Sequence, residues 1–507
     1  MNRKLGLLLL FSTFVRCILA MILPLGNDEV YYILYARFPD FHYYDHPLLV
    51  GWAIKLFSFN LHFQSPFFYR LPGIVFVIPS TYFVFKTASL IKDEKSGWIA
   101  ACLFTSSFYA SLISGVFILP DSILLFFWTG ALYISVMLFF HKYLMEEERL
   151  ELFMWFGLFV GLGALAKYHM MFLWIGMFGY LIFLKREYIL KWQLWVGVFI
   201  TIILMFPILY WNSMNSWLSF QFYENRVGFN SGIHFFGFGK ELVGEILYQN
   251  PVVWVVVVIG VLFIKKANIK SAPIKLLLWM GLPFLFFVWA LSFYKETLPH
   301  WSGPFFIPLI IISSLYLGSQ KNKVANRFIF SSVALYISSI LLACILVFGY
   351  PGTIGAKKSS NSYGAGDFTL DMFGWDNSGK EISDFIIKNK LTDLPIICPS
   401  WFPAAHIDEY VTRNSTSLLF GAGPISKLHE YQWVNKKRGG IPDKDSMLNI
   451  MPSNYYFDIN NTYGKYFKKI EVLTIIPQYR NGALTRNFFI YLLTDPLERI
   501  PEPLMYR

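Results

Sequence analysis

The N-terminal run Leu5–Leu25, LGLLLLFSTFVRCILAMILPL, stops abruptly at the polar segment Gly26-Asn27-Asp28-Glu29. A bilayer core takes about 20 apolar residues per helix, and this run is long enough. It exceeds the apolar core of a cleavable leader, and no small-x-small site follows it. It therefore reads as a first spanning helix that is retained. Working outward, similar runs recur at roughly 67–91, 97–115, 121–140, 152–167, 169–184, 193–211, 245–264, 273–292, 303–318 and 327–349, about eleven in all. The 152–184 stretch is two short halves meeting at Lys167-Tyr168-His169.

Composition agrees with a lipid surround. Of 507 residues 55% are apolar and 19% aromatic, while only 15% are charged, against roughly a quarter in ordinary soluble domains. Mean hydropathy is +0.48. The net charge of +11 does not indicate nucleic acid, because the basic residues sit in short loops between apolar runs, where they set membrane orientation. Those loops hold Arg3-Lys4, Lys92/Lys95, Lys142/Arg149, Lys185-Arg186/Lys191, Lys265-Lys266/Lys270 and Lys321/Lys323/Arg327. They alternate with 26–66, 115–121, 167–169, 212–244, 293–302 and the tail after 350. The positive-inside rule places the first set and the N-terminus in the cytoplasm, and the second set outside. Cys17, Cys102 and Cys344 lie in apolar runs and Cys398 stands apart, so no disulfide framework or metal-binding Cys-x-x-Cys is implied.

Composition changes at Gly349. Residues 350–507 carry no run long enough to span and read as a water-soluble domain. A helical pattern at Lys380–Lys390 precedes a strand pattern at Leu394–Cys398, and Phe488–Leu493 reads as another strand. The expected organisation is a polytopic α-helical body, 1–349, with a periplasmic α/β domain, 350–507. No internal repeat is evident.

Ionisable residues at membrane depth are costly and suggest function. Here the unusual ones collect in the outer loops: Asp28-Glu29, Tyr43-Tyr44-Asp45-His46-Pro47, Asp121, Lys167, His169, Arg226, Lys295-Glu296 and His300. The first outer loop also carries two short apolar stretches, Val30–Ala36 and Leu48–Phe59, which read as helices lying in the interface.

An Asp-Glu pair just after the first span, Tyr43-Tyr44-Asp45-His46-Pro47, and Leu119-Pro120-Asp121 opening a later helix resemble the bacterial branch of the protein O-mannosyltransferase family. These are GT-C fold enzymes, in a superfamily that includes the transferase adding aminoarabinose to lipid A. The likeness continues, in the family's order, through Gly163-Ala164-Leu165-Ala166-Lys167-Tyr168-His169, Trp211-Asn212 to Arg226-Val227-Gly228, and Leu298-Pro299-His300-Trp301. It covers most of residues 1–320; the tail resembles the family's variable outer domain only loosely. Leu48 stands where many relatives have a second proline after Asp-His-Pro, a departure confined to the helix start.

The resemblance implies a bacterial inner-membrane enzyme. It would transfer a sugar, with inversion, from a polyprenyl-phosphate donor to a hydroxyl of lipid A, lipopolysaccharide, another glycan or a protein. By motif match Asp28 is the expected base, with Glu29 beside it and Asp121 as the second acidic position. Lys167, His169, Arg226, Lys295 and His300 are expected at the donor phosphate, and Tyr44, Asp45 and His46 on the acceptor side. These residue types suit the chemistry. A carboxylate can accept the acceptor's proton, and fixed cations stabilise the charge gained by a departing phosphate. Neither a Walker A sequence nor a dinucleotide fingerprint occurs. No cofactor is implied; a divalent metal stays open, although the sequence has no ligand cluster for one.

Plainer roles compete. Asp45 before Pro47 suits a helix N-cap, and Asp121 suits the dipole of the helix it opens. Lys167 suits a snorkelling helix end, His169 and His300 suit packing, and Lys295-Glu296 suits a solvated loop pair. Among functions, a transporter or flippase of polyprenyl-linked sugars is the main alternative. Such proteins show inverted repeats and broken helices near mid-bilayer, whereas the polar residues here favour one face. A receptor whose outer domain binds a ligand would not need Asp28-Glu29 or Asp121.

Overall fold

The computed structural model describes residues 3–141, 144–228 and 232–501; Lys142 of the third basic loop lies outside them. Its contacts divide the chain into two units. One gathers the chain up to Ile22 with Pro39–Ser339, and the other gathers Leu23–Phe38 with everything from Ile340 onward.

The first unit is helical and the protein is a multi-pass membrane protein. Among the described residues six helices are long and apolar enough to cross a bilayer: Arg3–Ile22, Pro66–Ile91, Pro120–Phe140, Trp192–Met214, Ser271–Ser292 and Asn322–Gly349. A bent pair, Phe235–Gln249 with Pro251–Ala267, adds a seventh if taken as one span, and Tyr168–Leu184 and Gly303–Ser319 are shorter apolar helices. Several runs that read as continuous are broken. The 97–115 run is a helix, Glu94–Ser106, then a wider π turn, Tyr109–Ile113. The 152–184 stretch breaks where expected: Glu146–Ala164 ends, Lys167 is extended, and a 3₁₀ turn leads into Phe172–Leu184.

The bend of 102° falls at Asn250. Pro251 disfavours helical backbone at the preceding residue, and Asn250 adopts φ +72°, which asparagine tolerates better than most residues. Freed backbone groups in lipid need replacement partners. Here the Asn250 side chain both anchors the bend and serves one such group: its Nδ2 donates to the carbonyls of Ser106 and Ser332 on other helices, at 2.9 Å each. Its Oδ1 accepts from Val252 N–H at 3.1 Å.

Charge inside this unit is likewise accommodated. Arg16, midway along the first helix and 1% exposed, donates to Ser12 Oγ and Ser111 Oγ, both at 3.1 Å. The expected interfacial stretches are helices Asn27–Arg37, which belongs to the second unit, and Leu49–Phe57, which belongs to the first.

The second unit is α/β. Strands β1 (Ile396–Cys398), β2 (Leu419–Gly421), β3 (Ser446–Pro452), β4 (Phe467–Arg480) and β5 (Ala483–Pro496) form one mixed sheet of order β2-β1-β3-β5-β4. β1 runs parallel to β2 and β3, while β5 is antiparallel to both β3 and β4. The β4–β5 hairpin turns through Asn481-Gly482, both at positive φ, the dipeptide that a tight two-residue hairpin prefers. Ile397, Phe420, Met447, Met451, Phe489 and Leu493 build the core on one face, each contributing about 1.5–3 kcal/mol by burial. The expected helix appears as Trp375–Lys388, and the expected strands as β1 and part of β5.

Candidate active site

The candidate residues fall on both units. In the first, Asp121 is the second residue of the Pro120–Phe140 helix, where a carboxylate complements the helix dipole. Proline suits the first helical position, and Leu119 N–H is satisfied by Ser122 Oγ at 3.1 Å. Dipole complementarity does not exhaust the role of Asp121, because Lys167 Nζ donates to its Oδ2 at 2.7 Å and both side chains are buried. Tyr109 Oη donates to Oδ1 at 3.0 Å. Lys167 therefore does not snorkel. It is aimed inward by the extended residue that separates two helices, with its N–H held by Gly163 O at 2.9 Å.

Other candidates surround this pair. The His169 ring lies 5.0 Å from Phe284 and 6.1 Å from Trp301. The Arg226 guanidinium, on an exposed residue, sits 5.6 Å over the same Trp301 and 5.1 Å over Phe222, so Trp301 links the two. Electrostatics brings His46 and His300 into the group. Desolvation holds His46 down to about 4, with Asp45 opposing and Lys167 and Arg226 pushing further down. Desolvation, then Lys167, holds His300 down to about 3. Both imidazoles are neutral around pH 7 and can accept or donate hydrogen bonds to a substrate.

The Tyr43–Pro47 turn is built from the chain itself. Tyr43 N–H bonds His46 O at 3.1 Å, and His42 bridges to Pro47. Asp45 is not at the cap position of the following helix, which opens at Leu49 after Leu48. Instead the Asp45 carbonyl accepts from Tyr223 Oη. Tyr44 packs its ring 5.0 Å from Phe222, and buried His42 meets Tyr168 Oη at 2.5 Å. Lys295 is half-buried and, among the described residues, makes no side-chain hydrogen bond or ion pair with the cluster; its neighbour Glu296 pairs with Lys240 at 3.0 Å on the surface.

In the second unit, Asp28 and Glu29 occupy the first turn of the Asn27–Arg37 helix. Glu29 is buried, and its Oε2 accepts Gly26 N–H at 2.9 Å, closing the helix start. Asp28 is exposed, which leaves it the better placed of the two to meet a substrate. The helix is held along its length. Asn27 Oδ1 meets His406 Nε2 at 2.9 Å, Tyr31 Oη accepts from Glu430 N–H at 3.1 Å, and Arg37 pairs with Glu409. Tyr109, His42 and Tyr223 carry no distinguishing sequence signal, since each is an ordinary residue in an aromatic or polar run, whereas Tyr168 and Asn27 lie inside the Lys167-Tyr168-His169 and Gly26-Asn27-Asp28-Glu29 segments without being marked there for a role. Among the described residues no group of three or more His, Cys, Asp or Glu is arranged to hold a metal ion.

This helical body with its appended mixed sheet is a GT-C type fold, as the motifs led one to expect. Residues 45–211 match the family described as dolichyl-phosphate-mannose-protein mannosyltransferase. Over 304 residues the chain is 23% identical to the lipid A galacturonosyltransferase RgtD of Rhizobium johnstonii, covering 58% of this chain and 61% of that protein. It thus spans about three fifths of that relative's length. The crystal structure of ArnT from Cupriavidus metallidurans bound to undecaprenyl phosphate superposes with a TM-score of 0.67 at 11% identity, over 97% of this chain and 98% of ArnT. The apo form gives 0.64 at 12% identity over 96% and 97%.

Proposed function

We propose that this protein is a glycosyltransferase of the bacterial inner membrane that moves a sugar from a polyprenyl-phosphate donor to a hydroxyl of lipid A or its attached glycan on the periplasmic face, inverting the anomeric centre. The observation that carries this is the buried Asp121–Lys167 pair, ringed by His46, His169, Arg226 and His300. Support comes from the undecaprenyl phosphate in the ArnT structure and the lipid A activity named for RgtD.

As the glycosidic bond breaks, the leaving lipid phosphate goes from one negative charge toward two. Lys167 and Arg226 stabilise that charge without reorganising, and Asp121 holds the Lys167 ammonium in place. The neutral imidazoles supply hydrogen bonds to phosphate or sugar oxygens. Asp28 takes the proton from the attacking hydroxyl. Neither a nucleotide nor a metal has a step in this scheme.

The bend at Asn250 is the one observation that favours the transporter alternative, because broken membrane helices line transport sites. Mass spectrometry of lipid A and lipopolysaccharide separates the two. Wild-type cells should carry a glycosyl mass increment that Asp28→Asn cells lack, at equal protein level. An increment that persists in Asp28→Asn cells would refute the transferase.

A further inference from the structure

Within the second unit an open cleft of about 290 Å³ lies between the short turns Ser360–Ser362 and Ser453–Tyr455. It is near the lower end of volumes that hold small ligands. Asn361, Ser362, Ser453, Asn454, Tyr455 and Tyr456 line it, and no charged side chain does. Tyr455 and Tyr456 are 44% and 37% exposed, and Asn361 is exposed as well.

The cleft is rigidly built. Ser453 Oγ donates to Tyr363 O at 2.6 Å and accepts Asn487 N–H at 2.9 Å. Asn487 Nδ2 reaches back to Ser360 O at 3.3 Å. The Tyr455 ring packs 4.2 Å from Phe402, and Tyr456 packs 5.7 Å from Phe489. The wall also leads to the acidic helix. Tyr455 Oη donates to Asp371 at 3.2 Å, and Phe402, on which the Tyr455 ring packs, lies 5.7 Å from the His406 ring, whose Nε2 meets the side chain of Asn27, the residue before Asp28, at 2.9 Å.

From this juxtaposition we propose that the cleft is a saccharide-binding subsite that holds the carbohydrate part of the acceptor beside Asp28, an assignment resting on the transferase proposal above. The lining decides the chemical class. An anionic group is held best by Arg or Lys at the wall, and among the described residues none lines this cleft; Arg486, which reaches Asn454 at 3.5 Å, is itself buried. An acyl chain would leave the amides and hydroxyls without partners. Sugars fit both features: their C–H faces lie on tyrosine rings, and their paired hydroxyls bond to amides and serine hydroxyls, which both donate and accept.

The full chain in nanodiscs should bind deacylated lipopolysaccharide oligosaccharide, or a mannosylated peptide, by saturation-transfer NMR and calorimetry. Whichever probe binds identifies whether the carbohydrate comes from a lipid or a protein acceptor. Tyr456→Ala and Asn361→Ala should each weaken that binding about tenfold and raise the KM for acceptor, not for donor. The cleft assignment is overturned if neither probe binds, or if both variants bind the probe as tightly as wild type. Because binding is read without turnover, a protein that binds saccharide yet transfers no sugar refutes the transferase proposal and leaves the cleft standing.

Discussion

Asp121 and Lys167 neutralise each other where solvation is poor, so the two substitutions are not equivalent to one. Removing one partner of a buried pair leaves the other charge uncompensated, at about 3–5 kcal/mol, whereas removing both is often close to neutral. Lys167→Met should therefore lower the melting temperature in detergent well below that of the Asp121→Asn/Lys167→Met double variant, with transfer abolished in both. If the single variant melts with wild type, the pair is not held as described. His42 makes a second residue-scale test. It is fully buried, and desolvation lowers its pKa to about 3 from an ordinary 6.5. The folded state thus binds this proton less readily than the unfolded one. The associated stability is present above about pH 6.5 and is lost as pH falls toward 3, by about 1.4 kcal/mol per pH unit. His42→Gln should flatten the fall in stability between pH 6 and 4 by roughly that slope, measured by unfolding at stepped pH. Asp121 was legible beforehand because Leu-Pro-Asp at a helix start is conspicuous. Tyr109 was not, since nothing in an apolar run marks which aromatic turns inward. Beside Asp28, Glu29 has the sequence signature of a chemical pair, but a carboxylate at the third helical position also closes the helix start, and the two uses share one local sequence.

Helices in the first unit lie near the apolar runs that hydropathy marks, but their bounds shift, as where the 245–264 run falls across Phe235–Gln249 and Pro251–Phe263, and they break where it is silent. A run of apolar residues reports composition, and a bend costs no change in composition when one side chain replaces the lost backbone bonds. Asn250 does this for one N–H, that of Val252, while its Nδ2 ties the bend to the carbonyls of Ser106 and Ser332 on other helices and its backbone holds a positive φ. An alanine there loses these bonds and cannot relax the backbone strain. The expected loss for Asn250→Ala is about 2–4 kcal/mol, from hydrogen bonds of about 1 kcal/mol each and the left-handed conformation. Asn250→Asp is the instructive companion: it can keep the bond from Val252 N–H but offers no donor to Ser106 O and Ser332 O. Thermal unfolding of both variants should rank them below wild type, and an Asn250→Ala protein as stable as wild type would show that the bend needs no side-chain support. Of the β4–β5 hairpin, by contrast, part of β5 is open to sequence reasoning, because Phe488–Leu493 is a compact aromatic and aliphatic run, whereas β4 mixes charged and apolar residues and gives no such signal.

At the scale of the molecule, sidedness follows from where the loops of the first unit gather. Lys92 Nζ reaches Leu315 O at 2.9 Å, Lys95 Nζ reaches Gln320 O at 2.9 Å, and Ser319 Oγ meets Ala267 O at 3.4 Å. Three basic loops therefore meet at one end of the bundle. Arg149 lies 5.4 Å over Tyr188, and Lys191 faces Glu146 at 3.9 Å, which joins two more. The polar cluster around Asp121 lies at the opposite end of the Pro120–Phe140 helix from the loop that leads to Arg149. Alternating basic and non-basic loops were legible from charge alone. What charge could not tell is that Leu23–Phe38 packs with the distant C-terminal unit, because that association depends on contacts such as Asn27 with His406 across 379 positions. If the positive-inside rule governs this bundle, the two ends face different compartments. Cys17, Cys102, Cys344 and Cys398 are free and not exposed, so each can be replaced by serine or alanine to give a background for single surface thiols. Lys357→Cys and Glu224→Cys should then react in intact cells freed of their outer membrane with a maleimide that cannot cross the inner membrane. Lys265→Cys and Lys323→Cys should react only after lysis. Labelling of Lys265→Cys in sealed cells would invert the bundle, put the Asp121–Lys167 cluster on the cytoplasmic face and remove a periplasmic acceptor from consideration.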